Sequence, residues 1–149
     1  ILEQRKREQL IFARWTMVMF HFERALYENP DQDLNKLWWN LVELFQGLKR
    51  PMDRNAPDWA AKIHFAIAPV YYHNYMLGEL LAAQIRSDLV QISGHQGPAA
   101  TLDFAAHKEF GDFFKEKIFK PSMTKSWHEF VKDATGEYLT AKHFAEELK

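Results

Sequence analysis

Apolar side chains recur at helical spacing along most of the chain, and polar breaks separate the resulting segments. Residues 2–28 contain neither Gly nor Pro and carry two apolar stripes, which is typical of a helix buried between neighbours. Asp33 is a favourable N-cap for a second helix, whose apolar positions recur every three or four residues over 34–48. Another long helix is predicted from just after Pro69 to about Ile92.

The last third of the chain predicts three shorter helices. One should run over about 101–119. Ser126 and Glu129 have the spacing of a capping box that opens the next helix, and Gly136 should end it. The last helix should begin near Thr140. We therefore predict an all-α fold, an irregular multi-helix domain of about six helices without strand pairs.

The composition is that of one folded domain. The 149 residues are 47% hydrophobic and 15% aromatic, which is enough apolar surface to bury a core. We expect a single helical domain over residues 1–149. The aromatic content is high for a domain of this size, which indicates that part of the surface meets another protein.

Charge and hydropathy argue against two classes of partner. The formal net charge is -1 and no basic stripe is present, which argues against nucleic-acid binding. No apolar run reaches the ~18 residues of a transmembrane helix. Cysteine is absent, which excludes disulfides and thiolate metal ligands. The chain opens with Ile1-Leu2-Glu3, without an initiator Met or a signal peptide, so we interpret it as a piece of a longer protein.

Four side chains that can hydrogen-bond an anionic or carbonyl oxygen lie close together in the sequence: Lys62, His64, Tyr72 and Tyr75. The apolar segment 60–68 is ambiguous; if it is extended, alternation puts Lys62 and His64 on one side. Tyr72 and Tyr75 are three apart on a helix, so their hydroxyls should share a space. The alternative is that both are core aromatics whose hydroxyls find backbone partners.

The sequence contains no group that starts a reaction by itself. It has no H-E-x-x-H zinc motif, no G-x-S-x-G elbow, no phosphate loop and no cysteine. None of its histidines form the i, i+4 pair of a helical zinc site. We therefore predict that the chain holds no metal by itself.

Several short motifs follow one another in a fixed order. They are Trp38-Trp39, Gln46-Gly47, Ala61-Lys62-Ile63-His64, Tyr72-x-x-Tyr75, Leu80-Leu81 with Gln84, Trp127-His128-Glu129 and Thr135-Gly136. Over residues 11–149 the series resembles the C-terminal part of the peptidyl-dipeptidases of the angiotensin-converting-enzyme family. Those are helical zinc metallopeptidases that remove dipeptides from peptide C-termini. A related family of helical oligopeptidases that shares the Tyr-x-x-Tyr helix is the alternative.

The resemblance implies a role for each of the four side chains. Lys62 and Tyr72 match the residues that bind the C-terminal carboxylate of the substrate. His64 matches a histidine that hydrogen-bonds the substrate carbonyl beside the scissile bond, and Tyr75 matches the tyrosine that stabilises the oxyanion. We expect the four to line one concave surface. The family's zinc ligands lie upstream of this segment, so zinc is expected in the full-length parent and not in this chain, which should be inactive alone.

The chain departs from the chloride-dependent animal members of that family. Val42 and Asn74 stand where those enzymes carry arginines, and their disulfide cysteines are missing. One extra residue lies between His64 and Tyr72. The resemblance thus implies a bacterial-type parent that does not need chloride, in the periplasm or secreted.

We predict that the chain is the C-terminal portion of a zinc-dependent peptidyl-dipeptidase, a carboxypeptidase-type hydrolase. Its partners would be the N-terminal remainder of the parent protein and the peptide substrate. The alternative is a non-catalytic helical interaction module, in which the tyrosines only pack.

Overall fold

All regular secondary structure in the described residues, 2–149 of this computed structural model, is helical. Within that range the seven α-helices are α1 (Leu2–Glu28), α2 (Leu34–Gln46), α3 (His64–Ile67), α4 (His73–Ser93), α5 (Lys108–Phe113), α6 (Trp127–Thr135) and α7 (Lys142–Glu147). Shorter 3₁₀ turns occupy Asp58–Ala61, Ala99–Thr101 and Phe104–Ala106, and a π-helical segment occupies Phe114–Phe119. The predicted all-α fold is confirmed.

The chain divides into two compact units, the first ending at Leu77 and the second spanning Gly78–Lys149. Helix α4 begins in the first unit and ends in the second. Each unit has an apolar core of its own. The expectation of one domain over residues 1–149 stays a prediction.

The core of the first unit lies where α1 packs on α2. Its buried side chains are Val18, Met19, Phe22, Trp38, Val42 and Tyr72. Phe22 of α1 meets the edge of Trp38 of α2, with ring centroids 5.2 Å apart. Edge-to-face aromatic pairs of this kind stabilise a core beyond the area they bury.

Local capping fixes both ends of α2. The Asp33 carboxylate accepts a hydrogen bond from the Lys36 N–H at 3.0 Å, as the sequence predicted. Gly47 adopts φ 69, the left-handed conformation that ends a helix, and its N–H donates to the Glu43 carbonyl. Because α2 ends at Gln46, Leu48 lies outside it and is exposed.

Only one face of α1 is buried, so the prediction that both faces are covered is wrong for the described chain. Val18 and Phe22 are fully buried, whereas Leu10, Met17 and Phe20 are exposed. The partners packed on α1 within the first unit lie on the side of Phe22, which leaves the other stripe in contact with solvent.

The second unit combines a small apolar core with an ion pair between α4 and α7. Leu89, Leu102 and Phe110 form that core. The guanidinium of Arg86 in α4 donates two hydrogen bonds of 2.7 Å to the Glu147 carboxylate of α7. Both groups are only partly exposed, and a two-point arginine–carboxylate pair fixes orientation as well as distance.

Two helices of the second unit begin later than their patterns predict. The helix expected over 101–119 starts as α5 at Lys108 and becomes π-helical after Phe113. The Asp103 carboxylate accepts from the Ala105 N–H at 3.0 Å, a local bond that competes with helix formation. The last helix starts at Lys142, whose N–H donates to the Thr140 hydroxyl.

Ser126 is confirmed as the N-cap of α6, and Glu129 bonds its hydroxyl rather than its backbone N–H. The Ser126 hydroxyl donates to the Glu129 carboxylate at 2.8 Å and accepts from the Glu129 N–H at 3.4 Å. Gly136 ends the helix with φ 81. Among the described residues, none of the helices combines the length and the apolarity needed to cross a bilayer.

Gln84 of α4 connects the segment between α6 and α7 to the rest of the second unit. Its side chain is 1% exposed. The amide nitrogen donates to the Thr135 hydroxyl at 2.7 Å and to the Glu137 carbonyl at 3.2 Å, while the amide oxygen accepts from the Thr140 N–H at 3.1 Å.

Gln84→Ala should therefore destabilise the chain by roughly 2–3 kcal/mol, because it removes the three hydrogen bonds of a buried amide to Thr135, Glu137 and Thr140. Chemical unfolding of the purified chain measures this. Gln91→Ala is the matched control, since Gln91 lies on the same helix and is exposed. Equal free energies of unfolding for the two variants would contradict the bonding role of Gln84.

Candidate functional site

The segment that carries Lys62 and His64 is bent rather than extended. Its 3₁₀ turn at Asp58–Ala61 begins at a carboxylate that accepts two hydrogen bonds from Arg54 Nε, at 2.9 and 2.8 Å, and one from Trp39 Nε1 at 3.1 Å. The Arg54 hydrogen bond holds the pKa of the Asp58 carboxyl below its usual value. The start of the segment is thus fixed against α2 by the Trp39 indole, and the Arg54–Asp58 pair holds it locally.

An extended arrangement of residues 62–64 is therefore wrong. Lys62 alone has extended angles, φ -88 and ψ 99, and Ile63 is already helical ahead of α3, which begins at His64. The Lys62 N–H donates to the Trp59 carbonyl, and the Lys62 carbonyl accepts from the Phe65 N–H. The directions of the Lys62 and His64 side chains are therefore set by these turn hydrogen bonds and not by the alternation of a strand.

Three of the four predicted side chains form one ring cluster. Tyr72 lies in the turn before α4 and Tyr75 lies in its first turn, where the Tyr75 N–H donates to the Tyr72 carbonyl. The His64 ring centroid lies 4.7 Å from that of Tyr72 and 6.0 Å from that of Tyr75, and the two tyrosine centroids are 5.1 Å apart. The structure thus brings together an imidazole from α3 and two phenols, one from the turn before α4 and one from α4 itself.

Trp15 of α1 connects the fourth predicted side chain to this cluster. The Lys62 ammonium lies 4.9 Å from the centroid of the Trp15 ring, within the range of a cation–π interaction. The Trp15 indole N–H donates to the Tyr72 hydroxyl at 3.0 Å. One side chain therefore holds the lysine and the tyrosine in the same place.

The two tyrosines have different surroundings. Tyr72 is 9% exposed and belongs to the core of the first unit, so the packing interpretation holds for its ring. Tyr75 is 42% exposed and meets the edges of Phe12 and Tyr71. Burial raises the pKa of Tyr72 above its usual value, and the hydrogen bond from Trp15 acts in the opposite direction. The Tyr72 phenol therefore stays protonated near neutral pH.

Trp15 is the residue that sequence analysis missed. It lies in the helix predicted over residues 2–28, where the apolar pattern gives it no role at the site, and it is 57 residues from Tyr72 in the chain. The available signal was general: a tryptophan near the core needs a partner for its indole N–H, and a tyrosine hydroxyl is a common one. Nothing in the spacing identifies which tyrosine that is.

Val42 and Asn74, which stand where the chloride-dependent enzymes carry arginines, lie in different surroundings. Val42 is 4% exposed and packs in the first core beside Trp38, so it serves the α1–α2 packing. Asn74 is exposed in the first turn of α4. Independence from chloride stays a prediction.

The described residues do not supply a metal site. No group of three or more His, Asp or Glu side chains in residues 2–149 is arranged to hold a metal ion. The zinc implied by the sequence resemblance therefore finds no ligand set in this part of the chain. What the four side chains and Trp15 offer is a cation and neutral donors, a combination suited to binding carboxylate and carbonyl oxygens.

The lysine, the histidine and the two tyrosines are thus held by helices and turns of one helical unit. The family model described as angiotensin-converting enzyme matches residues 9–146 of the chain. The chain belongs to that family.

Individual relatives are similar over most of this chain. It is 29% identical over 134 residues to the angiotensin-converting enzyme-like protein Ace3 of Mus musculus, covering 87% of this chain and 18% of that protein. It is 30% identical over 119 residues to the angiotensin-converting enzyme of Mus musculus, covering 78% of this chain and 9% of that protein. It is 24% identical over 150 residues to carboxypeptidase 1 of Bacillus subtilis (strain 168), covering 95% of this chain and 28% of that protein.

The chain thus spans less than a third of the length of each of these relatives. No solved structure matches it.

A double-mutant cycle tests the bond that joins α1 to the tyrosine pair. Trp15→Phe, Tyr72→Phe and the double variant should give a coupling free energy of about 0.5–1.5 kcal/mol in chemical unfolding, the net value of one protein hydrogen bond. Trp15→Phe also loses packing of the larger indole, but this loss occurs with and without the Tyr72 hydroxyl and so cancels in the cycle. If the two single effects simply add, the indole and the phenol do not interact.

Proposed function

We propose that this chain forms the substrate-binding wall of the cleft in a zinc-dependent peptidyl-dipeptidase. The observation that carries the proposal is the ring cluster of His64, Tyr72 and Tyr75, to which Trp15 joins Lys62. Membership of the angiotensin-converting enzyme family supports the choice of reaction.

Lys62 and Tyr72 would anchor the C-terminal carboxylate of the substrate. The Trp15 ring attracts the Lys62 ammonium by a cation–π interaction, which leaves ammonium hydrogens for an anion. The Tyr72 oxygen accepts from the indole, so the hydroxyl can donate its own hydrogen to a second carboxylate oxygen. A cation and a neutral donor held side by side match the two oxygens of a peptide terminus.

His64 and Tyr75 would act on the scissile peptide. His64 would hydrogen-bond the neighbouring substrate carbonyl, and the more exposed Tyr75 phenol would donate to the oxygen that gains negative charge as the peptide bond is attacked. Donors that are already in place when this charge develops lower the barrier without reorganisation. The His64 ring touches both tyrosine rings and so limits the directions that either can take.

The rest of the parent protein would complete the site. The family resemblance implies that zinc, which would supply an activated water, would be held by residues upstream of this segment. The chain alone would then be inactive, and its partners would be the N-terminal remainder and the peptide.

A second candidate is a non-catalytic helical interaction module. It is favoured by the exposure of large apolar side chains on α1, such as Leu10 and Ile11, which are 50% and 58% exposed. The parent reading frame separates the two: the peptidase needs an H-E-x-x-H motif and a further glutamate ligand, and the module does not.

Tyr75→Phe in the full-length parent should lower kcat by roughly 10²–10³, the loss expected for one oxyanion donor, with a smaller change in KM. Steady-state hydrolysis of a peptide that is blocked at its N-terminus and free at its C-terminus measures this. Tyr71→Phe is the matched control, because Tyr71 is a neighbouring exposed tyrosine that touches Tyr75 by its ring. A Tyr75→Phe enzyme that is as active as Tyr71→Phe would rule out the donor role.

Lys62→Ala should raise KM for substrates with a free C-terminus and change KM much less for the same peptides with an amidated C-terminus. The proposed partner of the ammonium is the carboxylate, which the amide lacks. Lys36→Ala serves as the control, since Lys36 is an exposed lysine on α2. Equal losses on both substrate forms would mean that Lys62 does not bind the carboxylate.

A further inference from the structure

The turn that leads into the tyrosine pair contains a strained residue. Val70 has φ 55, a left-handed conformation that a β-branched residue rarely adopts. Its side chain is 62% exposed, so burial of the isopropyl group is not what holds it there. A strained backbone of this kind persists only where its surroundings fix it.

A buried carboxylate fixes this turn. Glu23, near the C-terminal end of α1, is 6% exposed, and its Oε1 accepts from the Val70 N–H at 2.6 Å. The Tyr27 hydroxyl, one helical turn further on, donates to the same oxygen at 3.4 Å. A carboxylate is costly to bury unless it is hydrogen-bonded, and bonds to a charged acceptor are the stronger ones.

The conformation of Val70 sets the direction in which the chain enters α4. Val70 is two residues before Tyr72, and α4 begins at His73. Relaxation of Val70 to a negative φ would turn the following backbone and move both phenols. Helix α1 therefore holds the tyrosine pair at two points, through Trp15 at the Tyr72 hydroxyl and through Glu23 at the preceding turn.

We propose that Glu23 is a positioning residue for Tyr72 and Tyr75, acting through the strained Val70 turn. The proposal rests on the proposed function, because it assigns Glu23 to the site that those tyrosines would form. Glu23 itself touches no substrate in this scheme.

The test uses the zinc-loaded full-length parent and a blocked peptide substrate. Glu23→Ala should lower kcat/KM by roughly 10-fold or more, because misplacing catalytic groups by about 1 Å can cost up to ~10²-fold. Glu23→Gln should retain most of the activity, since its amide oxygen can accept the same hydrogen bond. Thr16→Ala is the control for general damage to α1, because Thr16 is 2% exposed and its hydroxyl donates to the Ala13 carbonyl of the same helix at 2.7 Å.

Two further variants separate positioning from simple destabilisation. Val70→Gly removes the strain at the left-handed position, so Glu23→Ala combined with Val70→Gly should recover part of the lost kcat/KM. In a Tyr75→Phe background, Glu23→Ala should lower kcat much less than in the wild type, because the group that it positions is gone. Hydrogen exchange at the Val70 amide should speed up in Glu23→Ala and not in Thr16→Ala.

Loss of activity in Glu23→Ala no greater than in Thr16→Ala, or full additivity with Tyr75→Phe, would overturn the positioning role. If Tyr75→Phe and Lys62→Ala are themselves silent, the proposed function fails and the positioning role fails with it. If those two variants behave as proposed and Glu23→Ala alone is silent, only the role of Glu23 is lost.

Discussion

The hydrogen bond from the Trp15 indole to the Tyr72 hydroxyl is the interaction on which the candidate site depends. It joins the long first helix to the turn before α4 at 3.0 Å, across 57 residues of sequence. The same indole ring supports the Lys62 ammonium on its face. The Trp15 side chain thus contacts both the Lys62 ammonium and the Tyr72 hydroxyl. Because a lysine side chain is flexible, this contact is what restricts the position of the ammonium.

The remaining geometry follows from the way α1 holds the segments around it. Its buried face packs on α2, which in turn fixes the 3₁₀ turn at Asp58–Ala61 through Trp39. Its Glu23 carboxylate holds the Val70 turn. The segment between these two points carries Lys62 and His64, and Tyr72 with Tyr75 follows. The long helix α1 thus holds the short turns that carry the candidate site. Donors fixed in this way are preorganised for a developing negative charge.

The parts of the fold that the sequence predicts well are those set by local chemistry. Asp33 and Ser126 cap their helices, and Gly136 ends one, because each needs only its neighbours within a few residues. The path around Lys62 was not predictable in this way, since a pair between Arg54 and Asp58 and the indole of Trp39 decide it. Trp15 and Glu23 reach partners 57 and 47 residues away, and no spacing rule connects them. The four candidate residues were nevertheless identified before their supports, because their order along the chain carries the family resemblance.

The most direct test of the account is a crystal structure of the full-length parent with a bound dipeptide product. The terminal carboxylate of the product should lie within about 2.7–3.2 Å of both the Lys62 ammonium and the Tyr72 hydroxyl. The Trp15 indole should still donate to that hydroxyl in the complex. A carboxylate held by other residues, with Lys62 and Tyr72 facing only solvent, would contradict the account.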